Sequence, residues 1–281
     1  MCEFCHKHGE GRKWYLQAKN YSEDLLSDLK RRKFLSGFNS NPEEISKAFE
    51  RLAKAPAKNS VIKNLIRSYS VGKMKKLHYG QVLPIEDVET IMGFVNSVVR
   101  IECICRKSFL GTEQRYCYGV SMGPNGGEMF KLLQDISTDY QSGPYANGLE
   151  VLTKEEALAN FRQYEEEGLC HTVWTFVTPF IAGICNCDRS DCGAMKATFA
   201  YNFPMLFRAE YVAESNPDLC TGCRECMRVC QFGAMGYSAA NKKIMIDQSR
   251  CYGCGICRSS CNNNAIELRE RQDVPLAANL W

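Results

Sequence analysis

Eight cysteines near the end of this 281-residue chain fall in two runs of identical spacing: Cys220, Cys223, Cys226 and Cys230, then Cys251, Cys254, Cys257 and Cys261. Each run reads C-x2-C-x2-C-x3-C. Three thiols two residues apart lie on one tight loop, and the fourth follows on the next helical turn. Gly222, Gly253 and Gly255 let the backbone come close to the sulfurs and supply unusual dihedrals at little cost. The segment is also an internal repeat. Asp218-Leu219-Cys220-Thr221-Gly222-Cys223 returns as Ser249-Arg250-Cys251-Tyr252-Gly253-Cys254, and Gly233-Ala234-Met235 as Asn264-Ala265-Ile266. Between the copies, Lys242 to Asp247 reads as a short strand entering the second loop. A zinc or disulfide frame is the competing reading, but paired zinc sites rarely repeat four-cysteine runs in this way.

Residues Asn216 to about Leu268 resemble a two-cluster bacterial ferredoxin domain, whose motif is highly specific. The resemblance implies two [4Fe–4S] clusters, one-electron transfer, and two short strand pairs with two short helices around the clusters. It also implies crossed ligation. Cys220, Cys223, Cys226 and Cys261 would hold cluster 1, and Cys251, Cys254, Cys257 and Cys230 cluster 2. The family usually carries Pro after the fourth cysteine. Gln231 and Asn262 stand there in this chain, so the stop after each helix is less firmly specified.

The chain is long enough for two or three domains. An α+β organisation is expected: a basic helical region over 1–80, a cysteine-containing mixed α/β domain over 81–212, and the ferredoxin-like domain over 213–281. Charge follows this division, with 17 Lys and Arg against 8 Asp and Glu in residues 1–80, and 10 against 17 in residues 81–212. A solvated face is the plain explanation of the basic arm. Docking on a charged partner is the functional one, and nucleic acid ranks last, because no recognition-helix pattern stands out. Seventeen cysteines would suit a secreted disulfide protein, but the start, Met1 to His8, lacks the apolar stretch of a signal peptide, and the most apolar run, Val173 to Cys185, is too short to span a membrane. A reducing cytoplasm, with thiols kept for metal, is expected, and low-potential clusters suggest an anaerobe.

Helices are expected from Ser22 to Leu35, from Asn41-Pro42 to about Ala55, from about Ser60 to Ser70, and from Pro84 to about Ser97. Val98 to Cys105 reads as a strand, and Gly123 to Gly127 as a turn into a helix rather than a phosphate loop. Thr153-Lys154-Glu155-Glu156 is a capping box for a helix ending at Gly168. A strand covers Val173 to Ile184, and Ala213 to Pro217 is the best linker.

Nine cysteines remain. Five lie in C-x-C settings, Cys103 and Cys105, then Cys185, Cys187 and Cys192. Both pairs are placed at strand ends, and the two sulfurs of each are expected to point to opposite faces unless the chain bends, so that a metal or cluster would have to draw them round. Asn186 and Asp188 suit such a turn. These five are candidate ligands of a third metal centre, iron–sulfur in preference to zinc, against the bland reading of buried free thiols. The middle segment loosely resembles uncharacterised ferredoxin-like proteins of anaerobes, through Val99 to Arg106, Glu155 to His171 and Gly183 to Cys187. Those relatives are richer in cysteine around positions 187–192. Cys117 and Cys170 read as core. Cys2, Cys5, His6 and His8 could hold a metal, and Cys2 to His6 formally matches a haem-attachment motif.

Two functions compete. In the first, an electron carrier or oxidoreductase subunit relays single electrons between partner redox proteins. In the second, the third centre is catalytic and is fed by the ferredoxin-like domain. A relay predicts three thiolate-held clusters and no deep pocket. An enzyme predicts a cavity lined by residues such as His171, Tyr116 and Trp174. The absence of dinucleotide, P-loop, G-x-S-x-G and H-E-x-x-H patterns favours the relay.

Overall fold

The computed structural model describes residues 13–40, 44, 47, 51, 61–112, 114–135 and 149–280. The expected helix opened by Asn41-Pro42 lies largely outside these residues, as do Cys2, Cys5, His6, His8 and Trp281.

Seven strands form one sheet: β1 (Gly80–Leu83), β2 (Ser97–Ile101), β3 (Cys117–Ser121), β4 (Leu149–Leu152), β5 (Cys170–Thr175), β6 (Ile181–Cys187) and β7 (Leu206–Phe207). Their order is β4-β2-β3-β6-β5-β1-β7, and every pairing is antiparallel except β1 with β7. Side chains alternate between the two faces, because successive residues of a strand point to opposite sides. Leu83, Val98, Tyr118, Val173 and Ile184 join one core, which is covered by the helices Ile85–Phe94 and Lys154–Glu166. Val82, Val99, Cys170, Trp174 and Cys187 face the other side.

The N-terminal segment is less helical than expected. Ser22 caps only a 3-10 turn, Glu23–Ser27, with its hydroxyl accepting from the Asp24 N–H. A new helix begins at Leu29 and runs to Ser40, where the Asp28 carboxylate accepts from the Lys30 N–H at 2.8 Å. Before it, Trp14, Tyr15 and Tyr21 are fully buried in the first core. Trp14 donates to Gln81 at 2.7 Å and Tyr15 to Asp87 at 2.7 Å, so this basic segment is anchored by its aromatic side chains. The helix expected to end near Ser70 runs on, over Val61–Leu77.

Further along, the Thr153 capping box is formed and its helix covers Lys154–Glu166. The single strand expected over Val173 to Ile184 is two strands, β5 and β6, reversing at residues 176–180. The expected linker is itself a strand in part. Residues 213–215 belong to β8 (Tyr211–Ser215), which pairs with β11 (Ile266–Glu270) and buries Val212 and Ala213 completely. Two buried apolar side chains in alternating company hold the chain extended where its Asn-Pro sequence had suggested a spacer.

The C-terminal segment has the expected plan: β8 with β11, β9 (Met235–Ser238) with β10 (Lys243–Ile246), and two short helices, Glu225–Val229 and Ile256–Ser259. The tail folds back on it, with Val274 and Ala277 buried in its core and Leu276 exposed.

Candidate iron–sulfur sites

In the C-terminal segment each cysteine run begins on a loop whose conformation needs glycine. Gly222 and Gly253 have φ of +72° and +71°. A Cβ at Gly222 would lie 2.2 Å from the Lys242 carbonyl, and one at Gly253 would lie 2.1 Å from that of Tyr211. Cys220, Cys223, Cys226 and Cys261 line a cavity of about 20 Å³. Burial pushes the Cys226 thiol up to about 11, helped by Cys223, Cys261 and Cys220. Burial also raises Cys257, beside Cys254, Cys251 and Cys230. The fourth cysteine of each run therefore faces the opposite run. Backbone N–H groups point at the sulfurs: Ala234 at Cys230, Ala265 at Cys261 and Ala213 at Cys251, each at 3.3 Å. Such donors favour thiolate ligands and tune an enclosed cluster. The residues present fit a pair of iron–sulfur clusters.

The two sites differ in setting. Cys223 is exposed. Cys230 and Cys254 instead pack against the core that contains Cys170, Cys187 and Cys192. The Gln231 side chain, where the family has Pro, donates to the Gly168 carbonyl at 2.7 Å and accepts from the Arg189 N–H at 3.0 Å. Arg208 donates to the Cys251 carbonyl at 2.6 Å, and Ser259 to Glu165 at 3.2 Å. Phe232 stacks on Tyr252 with centroids 4.3 Å apart.

The middle group assembles from four places. Cys103 and Cys105 straddle the junction between β2 and the helix Ile104–Leu110, so the chain does bend there. Cys185 and Cys187 need no bend. They lie inside β6, where residues two apart share a face, and the expected strand-end turn is corrected on that ground. Cys192 precedes the one-turn helix Gly193–Met195. The sixth thiol is Cys117, which sequence reading had left in the core. It pairs in register with Cys185 and lies between the thiols of Cys185 and Cys103. Cys192 interacts with Cys105 and Cys187 in the same way. Its detectable signal was the matching C-x-C strand opposite, but a register is a tertiary fact.

Cys170 pairs in register with Cys187 and is fully buried. Burial raises its thiol well above the ordinary value, with Cys254 and Cys192 as its nearest thiol neighbours in effect. It packs in one core with Cys187 and Cys192 of the middle group and with Cys254 of the second run.

Arg106 is buried within this group. Its guanidinium donates to Cys103 Sγ at 3.6 Å and to the Asn186 carbonyl at 3.3 Å, pairs with Asp188, and lies 4.4 Å from the Tyr116 ring centroid. Burial pulls its pKa down, yet Cys103, Asp188, Cys187 and Cys117 together hold it above its ordinary value. It is a fixed positive charge beside the thiols. Tyr116 adds a backbone N–H to Cys103 Sγ at 2.9 Å. Among the described residues no three His, Cys, Asp or Glu side chains converge as a single metal ion requires, and this holds for the dicluster cysteines too.

A cavity of about 110 Å³ opens beside Cys105, Cys117 and Cys185. Trp174 lines it, but His171 and Tyr116 do not. His171 lies on the opposite face of the sheet, its Nδ1 2.6 Å from Asn186 Oδ1 and its Nε2 4.0 Å from Glu165. The imidazole that does line the cavity is His78. Burial lowers it to about 4, and its Nδ1 lies 2.6 Å from the Thr175 carbonyl, so it is neutral.

Comparison with known proteins agrees with this geometry. Residues 219–266 match the 4Fe-4S dicluster domain family, so the C-terminal part of the chain is an iron–sulfur dicluster domain of ferredoxin type. The archaeal-type glutamate synthase [NADPH] of Thermotoga maritima is 34% identical over 70 residues, 24% of this chain and 14% of that protein. Indolepyruvate oxidoreductase subunit IorA of Pyrococcus abyssi is 32% identical over 77 residues, 26% of this chain and 12% of that protein. The uncharacterized ferredoxin-like protein YdhY of Escherichia coli K12 is 39% identical over 46 residues, 16% of this chain and 22% of its own length. The chain thus spans less than a quarter of the length of each of these relatives. No helix among the described residues is long and apolar enough to cross a membrane.

Proposed function

We propose that this protein relays single electrons between a partner redox protein and a third, thiol-held centre in its middle region. The observation that carries the reading is Cys170, fully buried, in register with Cys187, and packed in one core with Cys192 and Cys254. Clusters of the [4Fe–4S] type supply reversible one-electron oxidation and reduction when bound.

The chain's own residues supply the rest. Cys220, Cys223, Cys226 and Cys261 would hold the outer cluster, with Cys223 at the surface a partner reaches. Cys251, Cys254, Cys257 and Cys230 would hold the inner one, against the middle core. The third centre would draw its ligands from Cys103, Cys105, Cys117, Cys185, Cys187 and Cys192. Arg106 offsets the negative charge of those thiolates. Two of the partial relatives are named as an NADPH glutamate synthase and an oxidoreductase subunit, which supports a place in a larger oxidoreductase system. The protein's setting would be a reducing cytoplasm, in an anaerobe.

Iron and acid-labile sulfide counts on anoxically purified protein test the third centre. About twelve irons are expected, whereas about eight would leave only the two ferredoxin-type clusters. Cys185→Ser should remove one paramagnetic signal of the reduced protein and leave the others. Loss of the ferredoxin-type signals instead would refute the division into separate sites.

The cavity favours a second reading, in which the third centre is catalytic. Three of the six thiols border a space more than five times the size of the one ringed by the cluster 1 cysteines, on values of about 110 and 20 Å³.

A further inference from the structure

Basic side chains surround the exposed end of the first cysteine loop. Cys223 is exposed, and Arg224 follows it with φ +71°, a left-handed conformation that costs any residue with a Cβ. Its guanidinium lies 3.8 Å from the ring centroid of Tyr237, and the same ring flanks Gly222. Lys242 is left-handed too, with φ +54°, and its carbonyl closes on Gly222. Lys243 donates from Nζ to the Cys220 carbonyl at 2.5 Å. None of the three pairs with a carboxylate among the described residues. Glu225 is taken by Arg228 at 2.7 Å, and Asp218 is the other carboxylate within residues 218–225. Leu219 is exposed in the same loop. Glycine would serve the backbone at both left-handed positions, as Gly255 does in the second loop. Strain kept at exposed basic residues points to a use outside the loop.

We infer that Arg224, Lys242 and Lys243 form a docking surface for an acidic face of the redox partner, seated over Cys223 with Leu219 as its apolar contact. Opposite charges steer such an encounter and fix its orientation, and salt screens it. An exposed leucine amid the cations suits the mixed apolar and polar face of a protein better than a phosphate backbone. The inference rests on the relay reading and names the partner chemistry which that reading leaves open.

Fluorescently labelled polyglutamate is the acidic probe, followed by anisotropy on the full cluster-loaded chain. The test variant carries Arg224→Gly and Lys242→Gly, which suit both left-handed positions and so add no backbone strain. The control carries Lys30→Gln and Lys131→Gln, equal in lost charge, at exposed positions on the helices Leu29–Ser40 and Gly127–Asp135. Binding is expected to weaken about three- to tenfold in the test variant and to hold in the control. Carbodiimide coupling, which joins a glutamate carboxyl to a lysine amine as an amide, should link the bound polymer at Lys242 or Lys243 in the wild-type chain. Unchanged binding in the test variant, equal loss in the control, or cross-links confined to other lysines each overturns the inference. Tighter binding of an oligonucleotide than of polyglutamate at the same residues overturns it in favour of nucleic acid. Iron counts on the same preparations read the relay separately. About eight irons with these binding differences would sink the third centre and leave the docking surface standing, whereas about twelve without them would do the reverse.

Discussion

At the scale of single residues, buried charge decides most. Arg106 is enclosed by thiols and paired with Asp188, whose own carboxylate is mostly covered. Removing one member of a buried pair costs about 3–5 kcal/mol, because the partner's charge stays behind. Arg106→Leu should therefore destabilise the protein by roughly that amount in denaturant titrations, and shift the potential of any centre on the middle thiols downward. An unchanged denaturation midpoint would contradict its structural role. Glu165 and His171 face each other at 4.0 Å, both buried. Burial lifts Glu165 from 4.5 to about 7, against the pull of Ser259 and Arg258. Burial lowers His171 from 6.5 to about 4, against its bond with Asn186. Folding thus holds a proton on the carboxyl and keeps the imidazole neutral. The cost of ionising Glu165 is absent below about pH 4.5, grows as pH rises, and is complete above about 7. The His171 cost runs the other way, appearing as pH falls from 6.5 to 4. Between 4.5 and 6.5 the two slopes offset. Glu165→Gln should consequently gain up to about 3 kcal/mol at pH 8 and nothing near pH 4.5, read from denaturation midpoints at the two values. A gain independent of pH would refute the assignment.

At the scale of elements, the two cysteine loops are near copies with one telling difference. Gly255 takes φ +85° and its counterpart Arg224 takes +71°. The left-handed conformation costs a residue with a side chain about 1–2 kcal/mol. Arg224 recovers part of this by lying 3.8 Å from the centroid of Tyr237. Gly253 has no such latitude, since the carbonyl of Tyr211 fills the space a side chain would take. Gly253→Ala should cost about 2–3 kcal/mol and deplete one of the two dicluster signals, measured by iron count and thermal midpoint. Retention of both would show that β8 can yield. The two C-x-C pairs illustrate what alternation conveys. Cys103 and Cys105 lie at the start of a helix rather than on the expected strand, whereas Cys185 and Cys187 do lie on a strand, and alternation puts them on one face without any turn. Which strands would lie beside them could not be read, because antiparallel neighbours β3 and β5 come from residues 117–121 and 170–175.

At the scale of the whole molecule, the dicluster domain is fastened to the middle sheet rather than tethered to it. Gln231, Arg208 and Ser259 make hydrogen bonds that cross between them, and Phe199 of the middle region packs edge-on against both Phe232 and Tyr252. Lys13 donates to Glu270 at 2.8 Å, so the N-terminal segment is part of the same joint. Cys170 is buried in the core against which Cys230, Cys254 and Tyr252 pack. Cys170→Ala should cost only about 1 kcal/mol, as a small core substitution, yet slow the equilibration of electrons between the dicluster and middle centres in rapid-freeze measurements. Unaltered kinetics would remove Cys170 from the path.

The dicluster motif was legible at once, since ligands three and four positions apart are a local matter of loop and helical turn. The same locality made the Thr153 capping box and the strand β10 readable. Cys117, Cys170 and the cavity beside Cys117 were not. Each owes its role to residues apart in sequence being brought together by sheet pairing, as Cys117 is with Cys185 and Cys170 with Cys187, and that pairing is set by burial of both sheet faces at once. Order along the chain dictated which thiols could share a loop; the closing of the seven-stranded sheet chose which could share a site.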